Sequence, residues 1–256
     1  RLRSPAAPRG LLVASAQEFS PPEHGPLASV SLAATPEHEA PLVFVLGMPK
    51  AGTTSLYEYF RCNGIQGEHY ACHGEKDVGG RECGKCLTRF LTQTAKKEPD
   101  KRNEPQNRAL VHKHCGEFQV MANMGWLGKA ACFYPNVDHL EALVLALPSA
   151  CFVLQERDLD AWLVSYEQYG GMYKRAVEGC AGVYPRNQDG VREWHRRHIE
   201  DAKRVLRKTA ACWLNFHIED PNAGRALADF FPGTNTSCWL AQNVRNPRPP
   251  DDEETT

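Results

Sequence analysis

Apolar and polar residues alternate along the central part of the chain in two different patterns. Residues 42–46 and 150–155 are short apolar runs, which is typical of strands buried on both faces of a sheet. Residues 138–147 place their apolar side chains on one face of a helix, and residues 191–209 form a longer, charged amphipathic pattern. Strands that alternate with helices predict a three-layer α/β fold, with a mostly parallel sheet flanked by helices.

Weaker patterns complete this outline. They predict strands at residues 65–70, 118–124 and 212–218, and helices at residues 53–60, from about residue 158, and at residues 222–231. Residues 71–115 are rich in cysteine, glycine, lysine and asparagine, and they predict an irregular, cysteine-rich insertion.

The two ends of the chain differ from its centre. Residues 1–40 hold six of the 18 prolines and show no helical or strand period, which predicts a flexible arm or stem. Residues 41–247 are expected to form one domain, and residues 248–256 a disordered acidic tail. No apolar run approaches the roughly 18 residues of a membrane-spanning helix. Because the first residue is Arg1, we expect a membrane link only through an N-terminal anchor that precedes this sequence.

Charge is nearly balanced over the 256 residues. Lysine and arginine number 30, aspartate and glutamate number 31, and the formal net charge is −1. Such a chain has no general attraction for nucleic acid or for acidic membranes, so no nucleic-acid partner is expected. A polyanionic ligand would have to be held by a local cluster of cations.

The chain contains ten cysteines, a high count for a cytosolic protein of this size. An even number spread through loops predicts disulfides and an oxidising compartment. Cys151, inside an apolar run, is expected to be a buried free thiol. A zinc site built from Cys72-His73, Cys83-x-x-Cys86 and residues 112–115 is the alternative. Asn235-Thr236-Ser237 is an N-glycosylation sequon, which agrees with a secretory route.

A loop with two glycines, Gly47 to Thr54, lies between the first buried strand and the first helix. Backbone N–H groups of such a turn and of the following helix N-terminus point at one spot, where the helix dipole favours an anion. The loop differs from the nucleoside-triphosphate pattern G-x-x-x-x-G-K-[ST], because Thr53 stands where lysine follows the second glycine. This disfavours an ATPase or a kinase, although a P-loop kinase or hydrolase remains an alternative.

The order Pro-Lys-x-Gly-Thr-Thr-x-Leu at residues 49–56 resembles the 5′-phosphosulfate loop of the sulfotransferases. The resemblance implies a P-loop sulfotransferase fold and the donor 3′-phosphoadenosine 5′-phosphosulfate, with adenosine 3′,5′-bisphosphate as product. It assigns the 5′ end of the donor to the following residues: Pro49, Lys50, Ala51, Gly52, Thr53, Thr54 and Ser55. Lys50 is also expected to contact the bridging oxygen or the sulfonate, where negative charge develops as the sulfuryl group leaves.

The family also holds the 3′-phosphate of the donor, with an arginine at a strand end and a serine eight residues later. Arg157 and Ser165 have this spacing after the apolar run at 150–155. The arginine offers a planar fork to a phosphate, and the serine a hydroxyl. Residues 214–221 resemble the late strand of the family that ends in Glu-Asp, and Arg245 lies where cytosolic members carry a basic donor-binding loop. The cysteine-rich segment is similar to lumenal relatives, which implies the secretory pathway and the Golgi lumen.

The reaction also needs a group that removes the proton of the acceptor, and in the family this base is a histidine or a glutamate. The candidates are Glu68, His69, Glu75 and His114. His69 is favoured, because it lies near the end of the second predicted strand and imidazole accepts a proton near neutrality.

The resemblance therefore predicts a sulfotransferase that acts without a metal on an acceptor hydroxyl or amine, carried by a carbohydrate or a small molecule. A non-catalytic nucleotide-binding or zinc-binding module is a further alternative. The acceptor itself is not predicted, because acceptor pockets are formed by loops. Five aromatic residues either line such a pocket or pack in the core: Trp126, Phe133, Tyr134, Tyr169 and Tyr173.

Overall fold

A six-stranded sheet runs through the centre of the protein. The computed structural model describes residues 19–27, 29–34, 39–73, 82–95, 104–128 and 132–239. The strands of this sheet are β1 (Glu23–His24), β2 (Val43–Val45), β3 (Gly67–Glu68), β4 (Val120–Met121), β7 (Cys151–Glu156) and β8 (Cys212–His217). A separate antiparallel pair is formed by β5 (Trp126–Leu127) and β6 (Cys132–Phe133).

The strand order places the functional loops at one edge of the sheet. The order is β1-β8-β7-β2-β4-β3, and every pairing except that of β1 with β8 is parallel. The carboxyl ends of β2, β3, β7 and β8 therefore lie on the same side. In open sheets of this kind, ligands bind in the crevice beyond these carboxyl ends.

Helices cover both faces of the sheet. They are α1 (Thr53–Cys62), α2 (Cys83–Ala95), α3 (Glu104–Cys115), α4 (Pro135–Asp138), α5 (Leu140–Ala146), α6 (Leu159–Glu167), α7 (Met172–Gly179), α8 (Gln188–Thr209) and α9 (Ala223–Phe230), with a 3₁₀ helix at Thr236–Cys238. Alternate residues of a strand face opposite sides. Phe44 and Phe152 accordingly pack with α2, α3, α5 and α8, whereas Val43 and Val153 pack with α1 and α9. The predicted three-layer α/β fold is confirmed.

The cysteine-rich segment is less irregular than its composition indicated. Much of residues 71–115 forms the helical hairpin of α2 and α3, so the prediction of an irregular conformation was wrong for this part. Leu87, Phe90 and Leu91 are buried at helical spacing and attach α2 to the core. The disulfides Cys72–Cys83 and Cys86–Cys115 then tie the hairpin to itself and to the end of β3.

Part of the predicted arm belongs to the sheet. Glu23 and His24 pair with Asn215 and Leu214 of β8, so the prediction of an arm without strands was wrong at these residues. Leu32 is buried in the core. A strand of two residues is too short to show a period in the sequence, and the partner strand decides its conformation. Residues 1–18 and the predicted tail at 248–256 lie outside the described residues.

All ten cysteines are paired, in five disulfides: Cys62–Cys238, Cys72–Cys83, Cys86–Cys115, Cys132–Cys180 and Cys151–Cys212. The prediction of a free thiol at Cys151 was therefore wrong. The parallel register of β7 and β8 places Cys151 directly beside Cys212, at the first residue of each strand. This neighbour is 61 residues away in sequence, so the apolar run around Cys151 gave no sign of it.

Among the described residues, no helix has both the length and the apolar composition that crossing a bilayer requires.

Two buried histidines of α8 contact the end of β2 and helix α6, next to the glycine-containing loop. The Nε2 of His198 is 2.8 Å from the Leu46 carbonyl oxygen and donates its hydrogen to it, while the ring of His195 lies 4.1 Å from that of Trp162. Burial lowers the pKa of His195 to about 3 and that of His198 to about 4. Both side chains are therefore neutral in the folded protein at pH 5, whereas in the unfolded chain a histidine binds a proton below about pH 6.5.

We expect the stability of the protein to fall as the pH drops from about 6.5 towards 4, because the unfolded state then binds more protons than the folded state. The His198→Gln variant keeps a donor for the Leu46 carbonyl oxygen and removes the titration. Between pH 7 and pH 5, the free energy of unfolding of the wild type should decrease by about 2 kcal/mol more than that of this variant. Urea titrations at both pH values measure the two decreases. The exposed His139→Gln variant is the control, and an equal decrease in all three proteins would contradict the prediction.

Candidate functional site

The loop between β2 and α1 has the backbone conformation of an anion cradle. Lys50 and Gly52 have φ values of 70° and 94°, and the N–H of Ala51 donates to the Met48 carbonyl oxygen over 3.0 Å. Gly52 is the N-cap of α1, whose first turn holds no acidic side chain. The first N–H groups of the helix and its dipole therefore face the loop without competition from a neighbouring carboxylate of that turn.

Buried side chains from three other elements fix this loop. The N–H of Gly47 donates to Gln155 Oε1 over 3.0 Å, and a Cβ atom on Gly47 would lie 2.2 Å from Gln155 Nε2. Trp162 Nε1 donates to the Pro49 carbonyl oxygen over 2.9 Å. Asn136 Nδ2 donates to the Leu46 carbonyl oxygen over 2.7 Å. These supports could not be predicted from sequence patterns, because each joins residues about 90 or more positions apart.

Arg157, one residue beyond β7, turns its guanidinium towards the loop. Its Nη1 donates to the Lys50 carbonyl oxygen over 2.8 Å, and its Nε donates to Glu219 Oε1 over 3.1 Å. The second carboxylate oxygen of Glu219 accepts from the N–H of Asp158. The structure thus brings the two predicted anion-binding segments together, and Glu219, after β8, holds the arginine in place.

Ser165 lies on α6, as its spacing from Arg157 predicted. Asp158 caps this helix, since its Oδ1 accepts from the N–H groups of Asp160 and Ala161. Ser165 follows Trp162 by three residues, and residues at this spacing are neighbours on a helix surface. Because Trp162 bonds to the loop at Pro49, we expect the half-buried Ser165 to lie on the side of α6 that is nearest the loop.

His69 follows β3 and reaches the first turn of α1. Its Nε2 lies 3.3 Å from Thr53 Oγ1 and 3.4 Å from Thr54 Oγ1, both within hydrogen-bond distance. Burial is the main cause that lowers the pKa of His69; the carboxylate of Glu58 opposes it and the charge of Lys50 adds to it. The imidazole is therefore neutral near pH 7 and able to accept a proton beside the loop.

The other candidate bases lie elsewhere. The buried carboxylate of Glu68 accepts a hydrogen bond from His73 Nδ1, with 2.8 Å between Nδ1 and Oε1. His114 lies on α3, and its Nε2 is 3.0 Å from Gln93 Oε1 of α2. These contacts join Glu68 and His114 to the cysteine-rich segment, whereas those of His69 join it to the loop. Glu75 and Arg245 lie outside the described residues.

The predicted aromatic residues separate into two groups. Tyr169 is exposed after α6, and the Nζ of Lys50 lies 4.1 Å from the centroid of its ring. Trp126 and Phe133 contact each other at 5.1 Å, on the β5–β6 pair. Tyr134 is buried and Tyr173 is half-buried in the cluster that also holds Met48 and Ala51 of the loop. Tyr169 and Tyr134 therefore lie beside the loop.

Among the described residues, one group of cysteines has the spacing that a zinc site would need. Cys72, Cys86 and Cys115 place their sulfur atoms within 4.8 Å of one another. These atoms belong to the neighbouring disulfides Cys72–Cys83 and Cys86–Cys115. Zinc binds thiolates, so this arrangement fits two disulfides and does not fit a zinc site.

No curated protein matches the chain. Among solved structures, shikimate kinase from Bacteroides thetaiotaomicron aligns with a TM-score of 0.30 and 15% sequence identity, over 68% of this chain and 85% of the kinase. This alignment is too loose to specify either the fold or the activity of the chain.

A family model described as "Sulfotransferase domain" matches residues 42–224. The match includes β2, the loop, His69, Arg157, Ser165 and Glu219, and it spans more than half of the chain. The chain therefore belongs to the sulfotransferase-domain family.

Proposed function

We propose that the protein transfers a sulfuryl group from 3′-phosphoadenosine 5′-phosphosulfate to a hydroxyl group of an acceptor. One observation carries this proposal, namely the hydrogen bond from Arg157 Nη1 to the Lys50 carbonyl oxygen. It supports the proposal because it holds Arg157, the proposed ligand of the 3′-phosphate, beside the proposed 5′-phosphate loop, at the carboxyl ends of adjacent strands. A donor with phosphates on both sides of one ribose needs such a pair of sites.

The loop residues would bind the 5′ end of the donor. The N–H groups at the start of α1 and the hydroxyls of Thr53 and Thr54 are donors for phosphate oxygens. Arg157 uses Nε and Nη1 within the protein, and its other terminal nitrogen remains to donate to the 3′-phosphate. Ser165 adds a hydroxyl on the same side of α6.

The proposed chemistry is a single in-line displacement. The acceptor oxygen attacks the sulfur atom, and a new S–O bond forms as the bond from sulfur to the phosphate oxygen breaks. The phosphate oxygen keeps the electron pair, so adenosine 3′,5′-bisphosphate leaves. The acceptor proton passes to Nε2 of His69. Lys50 and the N–H groups of the loop, rather than a metal ion, would stabilise the charge on the leaving oxygen.

Arg157→Ala should lower the affinity for adenosine 3′,5′-bisphosphate by about 10- to 100-fold, because a charge-assisted hydrogen bond to phosphate is lost. Its affinity for AMP, which has no 3′-phosphate, should change little. Calorimetric titrations with adenosine 3′,5′-bisphosphate, with AMP and with ATP measure these affinities. Arg225→Ala, which removes an exposed arginine of α9, is the control.

Tighter binding of ATP than of the bisphosphate by the wild type would contradict the proposed donor. Since Arg157 also pairs with Glu219, the folding of the variant is checked by urea unfolding. An Arg157→Lys variant keeps the charge without the planar fork and should fall between the wild type and Arg157→Ala.

His69→Gln should lower kcat by about 10²- to 10⁴-fold and leave bisphosphate affinity nearly unchanged, because general base catalysis is lost while the loop stays intact. In the wild type, kcat/KM should fall with decreasing pH at a value below about 6.5, because the pKa of His69 is lowered. Radiolabelled donor and a panel of sugar and phenol acceptors provide the assay.

The fall of kcat/KM with decreasing pH should be absent from the residual activity of His69→Gln. The control variant His139→Gln should show the same fall as the wild type. If His69→Gln retained full kcat, another group would be the base. Glu68→Gln and His114→Gln would then be measured in the same assay.

We further propose that the protein matures in the secretory pathway. Five disulfides and an exposed Asn235, whose sequon lies next to the Cys62–Cys238 bond, support this route. When the chain is secreted from eukaryotic cells, endoglycosidase treatment should increase its gel mobility, and Asn235→Gln should remove the change. Unchanged mobility of the treated wild type would refute glycosylation at this site.

A further inference from the structure

The imidazole of His69 lies against three residues of α1. Its Nε2 is 3.3 Å from Thr53 Oγ1 and 3.4 Å from Thr54 Oγ1, and the centroid of its ring is 5.4 Å from that of Tyr57. All three residues belong to the first two turns of the helix that begins at the loop. The helix therefore holds the imidazole at a set position relative to the loop.

The two hydroxyls differ in how easily a ligand can reach them. Thr53 is 3% exposed, whereas Thr54 is an exposed residue. Both follow Gly52, at the positive end of the helix dipole. A phosphate held by the first N–H groups of α1 would therefore reach the hydroxyl of Thr54 from solvent, while that of Thr53 remains the inner contact of the imidazole.

The hydroxyl of Thr54 can donate to only one partner at a time, because it has a single hydrogen and two lone pairs. When no anion is bound, this hydrogen can point at Nε2 of a neutral His69, which accepts when its own proton is on Nδ1. The ionised phosphate of a donor has only acceptor oxygens and competes for the same hydrogen. Once the phosphate takes it, the lone pairs of Thr54 Oγ1 face Nε2, and this arrangement favours a proton on Nε2.

The charges near His69 would change in the same direction. Burial is the main cause that lowers its pKa, the carboxylate of Glu58 opposes this effect, and the charge of Lys50 adds to it. Glu58 is itself paired with Arg61, with 2.6 Å between Oε2 and Nη2. An anion on the loop would offset the charge of Lys50 and place a negative charge near the imidazole. A nearby negative charge favours the protonated form of a histidine.

We propose that Thr54 couples the donor site to the base: a 5′-phosphate that takes the hydrogen of Thr54 Oγ1 makes Nε2 of His69 a stronger proton acceptor. The inference rests on the proposed function. Thr54 acts on the proton of the acceptor through His69, as a positioning residue, while Thr53 and Tyr57 keep the imidazole in place. His69 would then accept a proton most readily while the donor occupies the loop, and it would release this proton to solvent after the bisphosphate has left.

The experiment measures the proton affinity of His69 by NMR, on protein with ¹³C-labelled histidine that is titrated from pH 8 down to about pH 5. His69→Gln identifies the signal among those of the ten histidines. The protein is measured alone, with saturating adenosine 3′,5′-bisphosphate, and with saturating adenosine 3′-monophosphate, which has no 5′-phosphate. In the wild type, the bisphosphate should increase the proton affinity about 10-fold, and the 3′-monophosphate should change it little.

Thr54→Val removes the hydroxyl and should reduce this increase to about 3-fold or less, which is the part due to the charge of the phosphate alone. Thr54→Ser keeps a hydroxyl and should restore the full increase. Thr92→Val, at an exposed threonine of α2, is the matched control and should behave as the wild type. No increase in the wild type, or an equal increase in the wild type and in Thr54→Val, would overturn the proposal.

The outcomes for the two proposals are separate. If the bisphosphate does not bind, the proposed function fails, and inorganic sulfate then serves as the anion on the loop. The same comparison of the wild type, Thr54→Val and Thr54→Ser decides whether the coupling exists, and a His69 that does not respond to sulfate would overturn it. If the bisphosphate binds and the proton affinity of His69 stays unchanged, the coupling alone is refuted.

Discussion

The contact between Arg157 and the Lys50 carbonyl oxygen joins the two halves of the candidate site. It exists because β2 and β7 are parallel neighbours, so the segments that follow them emerge at one edge of the sheet. Glu219, which follows the next strand, holds the guanidinium from the other side. Three adjacent strand ends thus fix one cation at a set position relative to the loop.

The loop itself depends on buried partners more than on its own residues. Gln155 and Trp162 bond to its backbone at Gly47 and Pro49, and neither side chain is available to a ligand through these atoms. Preorganised N–H groups of this kind stabilise charge without having to move during the reaction. His69 meets the same loop from the end of β3, where its Nε2 lies within hydrogen-bond distance of Thr53 and Thr54 Oγ1.

The predictions of secondary structure were correct where the conformation depends on neighbouring residues in the sequence. An apolar run marks a buried strand, so β2 and β7 were found from their own residues, and the glycines between β2 and α1 marked the turn that joins them. The predictions made from composition were wrong where tertiary packing decides the conformation of a segment. The cysteine-rich segment forms helices because Leu87, Phe90 and Leu91 are buried against the core, and β1 becomes a strand because β8 pairs with it. The helix α7, after two glycines with positive φ, was not predicted.

The sequence by itself determined the class of the fold, the place of the glycine-containing loop and the identity of the residues at the ends of β3 and β7. These features follow from periodicity and from the conformational freedom of glycine, both of which act over a few residues. Only the tertiary structure decided which cysteines pair, and that His69 rather than Glu68 or His114 meets the loop. Those relations join residues far apart in the chain, because sheet order and helix packing, rather than local propensity, bring them together.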